Sequence, residues 1–179
     1  MNHADHVNLL RPAELPTGGT WADLGAGSGA FTLALRDLVG AEAEIYAVDK
    51  DAARLAALSR HWTDRFGGTS GLQLVTADFT RELRIPPLDG AVMANSLHFF
   101  KDKERVLRQV RALLKPGGLL LLVEYNVDRG NLWVPHPLSF ETFRALAPRA
   151  GLSQPRLLAR HPSSFLREFY SAAAHRTEV

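Results

Sequence analysis

The sequence predicts an α/β fold, a doubly wound and mostly parallel sheet carrying an antiparallel hairpin at one edge. Three observations predict it. Strand-like apolar runs alternate with amphipathic helical segments over the first 125 residues, the pattern of successive βαβ units. A glycine-rich turn, GAGSG at 25–29, follows the first of these runs and opens a helix. Two further strand-like runs, joined by a short polar turn, close the chain and read as a hairpin.

Residues 1–20 are a short lead-in, a candidate lid, and residues 21–179 are expected to form one domain. Leu9 and Leu10 can dock on that domain, while Pro12, Pro16 and the TGG at 17–19 break any helix. TWADLG reads as the first strand. From Ala30, Phe31, Leu35 and Leu38 recur at helical spacing. AEIYAVD at 43–49 is the second strand. A helix follows from Asp51, with Leu55, Leu58, Trp62 and Phe66 inward and Gly67 and Gly68 as its stop. LQLVTAD at 72–78 is the third strand, and a fourth runs from Asp89 to near Asn95.

Asp102 can N-cap the next helix, whose stripe is Val106, Val110 and Leu113. LKPGG at 114–118 ends that helix. The leucine run at 117–123 is a strand buried on both faces, ending near Tyr125. After a loop over 126–138, Ser139 can cap a helix with Phe140, Phe143 and Leu146 inward. PRLLARH at 155–161 and FLREFYSAAA at 165–174 flank a PSS turn and make the hairpin. Right-handed crossovers then place ligands at the carboxyl ends of the strands, beside the first.

Composition narrows the partners. A chain of 179 residues, 46% hydrophobic and 22% charged, suits one globular domain with a sizeable core. A net charge of +2, with scattered basic residues, is no footprint for nucleic acid. The absence of cysteine excludes disulfides, thiolate metal sites and a cysteine nucleophile, and no metal site is expected. The N-terminus is too polar for a signal peptide, and the longest apolar run is too short for a bilayer. These features fit a cytoplasmic protein with neither membrane nor nucleic-acid partners.

Glycines after a strand remove the Cβ atoms that would keep a ligand from the backbone. GAGSGA alone also satisfies a dinucleotide-binding pattern. Asp49, ending the second strand, suits the ribose diol of either ligand. Asp23, two residues before Gly25, separates the alternatives. A fixed carboxylate there is poorly suited to a pyrophosphate at a helix N-terminus. It suits a ligand bearing an ammonium and a sulfonium. Asp78, ending the third strand, can meet an adenine edge.

With ADLGAGSG at 22–29, AVDK at 47–50, TADF at 76–79, LDGAVMANSLHFF at 88–100 and LKPGGLLLLVEY at 114–125 in register, the chain resembles the class I S-adenosylmethionine-dependent methyltransferases. The likeness is greatest to their small-molecule branch. The resemblance implies a Rossmann-like seven-stranded sheet of order 3-2-1-4-5-7-6, with S-adenosylmethionine as cofactor and S-adenosylhomocysteine as product. It implies that Gly25, Ala26, Gly27 and Gly29 wrap the methionine half, with Asp23 orienting that end. It places Asp49 on the ribose hydroxyls, Asp78 on the adenine amino group, the Phe79 backbone near the ring nitrogens and Asn95 near the ammonium. The residue after the ribose acid packs on adenine in the family; here it is Lys50, whose stem can stack.

Transfer from a sulfonium is an in-line displacement, and a base is needed only if the acceptor must lose a proton. His98, Tyr125 and His136 are the acceptor-side candidates, with Asn126 and Trp133 nearby. A loop histidine bonded to backbone is an equally good description of His98. The short lead-in leaves the site open, or covered by residues 5–15 and the 126–138 loop, or closed by a second subunit in a homodimer. The expected activity is methyl transfer to a small molecule. The alternatives are a protein acceptor, or a cofactor-binding accessory protein without catalysis.

Overall fold

Seven strands form where the apolar runs lie. β1 (Thr20–Leu24), β2 (Glu44–Asp49), β3 (Leu72–Thr76), β4 (Leu88–Ala94) and β5 (Leu114–Tyr125) run parallel. β6 (Arg156–Pro162) and β7 (Glu168–His175) form the hairpin, with β7 antiparallel to both β5 and β6. The computed structural model describes residues 1–178. Its sheet order is β3-β2-β1-β4-β5-β7-β6, the order the motifs imply. The helices are α1 (His3–Leu10), α2 (Ala30–Val39), α3 (Ala52–Phe66), α4 (Lys103–Leu113) and α5 (Phe140–Leu146). Among the described residues, no helix is long and apolar enough to cross a membrane.

Period-two alternation distributes the apolar residues to both faces of the sheet. In β5, Leu120 and Leu122 join one core cluster, with Phe140 and Phe143 of α5 and Val106 and Val110 of α4. Leu119, Leu121 and Val123 join the other, with Leu35 of α2 and Leu58 and Trp62 of α3. Asp51, Asp102 and Ser139 cap α3, α4 and α5 as expected, each accepting a first-turn backbone N–H. The lead-in begins with a packed helix. Asn2 and Asp5 close a reciprocal capping box around α1, and Val7, Leu9 and Leu10 are buried against α2 and β6.

Several boundaries move. LKPGG does not simply end α4; it forms the first part of β5, and the pairing jumps from Leu88↔Leu114 to Gly90↔Leu119. The bulge is stapled to the far end of the chain, where Gly117 N donates to Arg176 O and Arg176 N donates to Gly118 O. β3 ends at Thr76 rather than Asp78, which puts Asp78 in a loop. β7 starts at Glu168 rather than Phe165. Ser163 N donates to Arg167 O, and Arg167 adopts φ +60°, which turns residues 163–167 into a wider corner.

Gly90 faces Trp21 directly across the β1–β4 pair. A Cβ there would lie 2.2 Å from a carbon of the indole ring, and that ring is fully buried, its Nε1 donating to Gly18 O. Gly90→Ala is therefore expected to destabilise the fold by about 1–3 kcal/mol through overpacking. A lowered urea midpoint with unchanged slope checks this.

Candidate active site

The carboxyl ends of β1, β2 and β4 border a cavity of about 490 Å³. The glycine loop forms its floor. Gly25 N and Ala26 N both donate to Val48 O, at 2.8 and 3.0 Å, which straps the loop to β2. Gly25, Gly27 and Gly29 all take positive φ. A Cβ on Gly25 would lie 2.7 Å from the Ser96 Cβ, and one on Gly29 would strike Leu58. Both positions thus require glycine for conformation and for space. Gly25 lines the cavity; Ala26, Gly27 and Gly29 do not.

Asp49 ends β2 on the cavity wall. Its Oδ2 accepts from Gly27 N at 2.8 Å and its Oδ1 from Asp51 N at 2.9 Å. Each oxygen keeps further accepting capacity for a ligand. Asp78 and Phe79, which follow the neighbouring strand β3, line the cavity too, as does Lys50. Asp78 Oδ1 accepts from the Thr80 hydroxyl and the Thr80 backbone N–H, and these bonds hold its carboxyl below the usual range. Phe79 packs edge-on against Phe100, another wall residue. Arg54 joins Lys50 on the wall.

Asn95 and Ser96 complete the site where β4 ends. Asn95 adopts φ +53°, a conformation costly outside glycine but most accessible to Asn and Asp. Asn95 Oδ1 and Ser96 Oγ are buried without a hydrogen-bond partner. Buried polar atoms left unpaired beside a cavity call for a partner.

Asp23, on β1, is 1% exposed, is not among the residues lining the cavity, and accepts from Thr32 Oγ1 of α2 at 2.7 Å. Burial pushes its carboxyl up to about 7, against the pull of the Thr32 bond and with help from the Asp49 charge.

The acceptor-side candidates are not on the cavity wall. His98 is 3% exposed. Its Nδ1 lies 2.8 Å from Oε2 of Glu124, whose Oε1 accepts from Leu97 N and His98 N. A carboxylate receiving backbone donors at one oxygen makes Nδ1–H the donor to the other, and leaves Nε2 as the ring's acceptor. His98 is thus bonded to a buried acid rather than to backbone. Tyr125 is half-buried, its ring 4.3 Å from Phe169 and 6.1 Å from His98. Burial, then the Glu124 charge, raises its hydroxyl pKa. His136 contributes its backbone, its N–H donating to His98 O at 2.9 Å. Glu124 and Ser96 escaped the sequence reading. The available signal for Glu124 was a lone acid at the end of an otherwise apolar strand.

The sequence matches the family model described as methyltransferase domain over residues 22–120. It is 33% identical over 153 residues to acetylserotonin O-methyltransferase of Mus musculus, covering 75% of this chain and 39% of that protein. It is 32% identical over 174 residues to arsenite methyltransferase of Aquipseudomonas alcaligenes, covering 87% and 50%. The chain thus spans half or less of the length of these curated relatives. A solved structure of human N-acetylserotonin methyltransferase in complex with SAM superposes with a TM-score of 0.71 at 19% identity, over 97% of this chain and 52% of that one. At that identity the likeness is one of fold.

An acid whose folded pKa is raised binds its proton more tightly in the native state, so its stabilising contribution is present at low pH. That contribution is lost as pH rises from about 4, the unfolded value, to about 7. His6, lowered chiefly by burial, acts oppositely, its contribution being lost as pH falls below about 6.5. The difference between wild type and Asp23→Asn isolates the aspartate. Wild type is expected to lose stability between about pH 4 and 7 relative to Asp23→Asn, by an amount on the order of a few kcal/mol. Urea titrations across that range measure it, and parallel profiles would refute it.

Proposed function

The chain belongs to the methyltransferase domain family, and from that premise we propose that it transfers a methyl group from S-adenosylmethionine to a small-molecule acceptor. One observation carries the cofactor assignment. Asp49, Asp78 and Asn95 line one cavity together with Gly25 of the glycine loop, and Asn95 Oδ1 is buried without a partner. With Lys50 and Arg54 also on the wall, the reading rests on placed acceptors rather than on net charge: Asp49 suits a diol and Asp78 an adenine amino group.

In this reading Asp49 takes the ribose hydroxyls, and Asp78 with the Phe79 backbone takes the adenine. Asn95 Oδ1, supported by Ser96 Oγ, accepts from the ammonium. Asp23 meets the positive end of the ligand from behind the loop rather than by direct contact. When bound, the cofactor supplies an activated methyl carbon, which bonds to an acceptor lone pair as the C–S bond breaks and its electrons stay on sulfur.

His98 stands three residues beyond Asn95 and next to Phe99 of the cavity wall. Glu124 fixes its ring and tautomer, so Nε2 is available to take a proton from a hydroxyl acceptor. This supports oxygen methylation. A soft trivalent arsenic acceptor would call for thiolates, and the chain has no cysteine. The low exposure of His98 favours one competing reading, in which the dyad is only a brace and the acceptor needs no base.

Calorimetry with S-adenosylmethionine, S-adenosylhomocysteine and NAD, followed by transfer of labelled methyl groups to a hydroxyl-bearing panel, tests the assignment. Asp49→Ala is expected to weaken S-adenosylhomocysteine binding by about tenfold or more, the worth of a charge-assisted hydrogen-bond pair. His98→Asn is expected to lower kcat about 10²–10⁴-fold at unchanged cofactor affinity. An unchanged kcat would favour the brace, and tight NAD binding without either sulfur nucleoside would overturn the whole assignment.

A further inference from the structure

An aromatic strip runs outward from the cavity along the carboxyl end of the sheet. Phe99, on the cavity wall, lies 4.3 Å from the His98 ring. His98 lies 6.1 Å from Tyr125, and Tyr125 lies 6.0 Å from Phe165. The register explains the meeting. Tyr125 pairs with Phe169 across β5 and β7, so the 163–167 corner that carries Phe165 sits beside the end of β5. Three separate segments of sequence thus contribute to one chain of neighbouring rings, exposed at Phe99 and Phe165, half-buried at Tyr125 and buried at His98.

Phe99 and Phe165 are 58% and 48% exposed. A lone exposed ring is ordinary. A continuous run of rings adjoining a polar cavity is the usual composition of a ligand wall. The strip is poor in hydrogen-bonding groups. Its polar atoms are the Tyr125 hydroxyl and the free Nε2 of His98, since Nδ1 is committed to Glu124. Ring faces and edges prefer planar π partners, and one basic nitrogen among them suits one ionisable hydroxyl.

We propose that the strip from Phe99 through Tyr125 to Phe165 is the acceptor wall, and that it takes a planar, apolar molecule bearing an ionisable hydroxyl, a phenol or an enol. The proposal rests on the methyltransferase reading and names the substrate class for it. The rings hold the flat body of the acceptor and exclude water, and His98 receives the hydroxyl end. A small hydrophilic acceptor would leave the rings exposed and gain nothing from them.

Equilibrium binding to the protein saturated with S-adenosylhomocysteine tests this without turnover. The probes are 2-naphthol and its saturated counterpart, trans-2-decalol. Naphthol is expected to bind about tenfold or more tightly than decalol, because only it stacks and only it has an ionisable hydroxyl. Phe165→Ala, at an exposed corner, is expected to weaken naphthol roughly threefold to tenfold, with S-adenosylhomocysteine affinity unchanged and naphthol affinity restored in Phe165→Tyr. Equal affinities for the two probes, no binding of either, or no effect of Phe165→Ala would overturn the acceptor class while leaving the cofactor reading intact. Failure to bind S-adenosylhomocysteine at all would overturn the reading beneath it.

Discussion

The Glu124 carboxylate is the interaction on which the site's arrangement depends. It is fully buried at the end of β5 and accepts from Leu97 N, His98 N and His98 Nδ1. Burying a carboxylate is costly, and several N–H donors are what make it tolerable. Those donors all come from the segment that follows β4. One side chain therefore fixes the path of that segment, which carries Asn95 and Ser96 at one end and Phe99 at the other. It also fixes the His98 ring, and through His98 O it anchors the loop after β5.

The glycine loop is the complementary constraint. Ser96 lies where a Gly25 Cβ would be, so the β1 loop and the β4 loop approach as closely as backbone allows. Leu58 of α3 occupies the corresponding space at Gly29. The cavity is therefore bounded by elements that cannot shift independently: β2 through the Val48 carbonyl, α3 through Leu58 and β5 through Glu124. Into this frame the chain places carboxylates of different character. Asp49 and Asp78 are held by backbone donors at the wall. Asp23 is shut away with one hydroxyl partner, and its charge is suppressed at mildly acidic pH.

Most of the strands and helices, and the acids Asp49 and Asp78 that line the cavity, were legible in the sequence because they rest on local chemistry, whereas the strand order came from the resemblance of the motifs. Glycine spacing, an acid at each strand end and helix caps such as Asp102 and Ser139 act within a few residues of themselves. Boundaries were less legible where distant chain segments decide them. LKPGG reads as a helix stop, yet hydrogen bonds to Arg176 draw it into β5. The same limit concealed the His98–Glu124 pair, whose members are 26 residues apart and meet only because β4 and β5 are neighbours. The burial of Asp23 was equally hidden, since no local pattern tells a residue lining a cavity from one shut away from it.

The N-terminal helix has a consequence for the order in which the molecule assembles. Its partners include β6, and Arg156 reaches the Pro12 carbonyl across 144 residues of chain. β6 joins the sheet only through β7, which in turn pairs with β5. The docking of α1 is therefore complete only when the β6–β7 pair is in place, whereas its contact with α2 is independent of that pair. Closing so long a loop carries an entropic cost before any contact offsets it. The face of Val7, Leu9 and Leu10 thus meets one partner that is near in sequence, α2, and one that is far, β6, and only the second carries this cost.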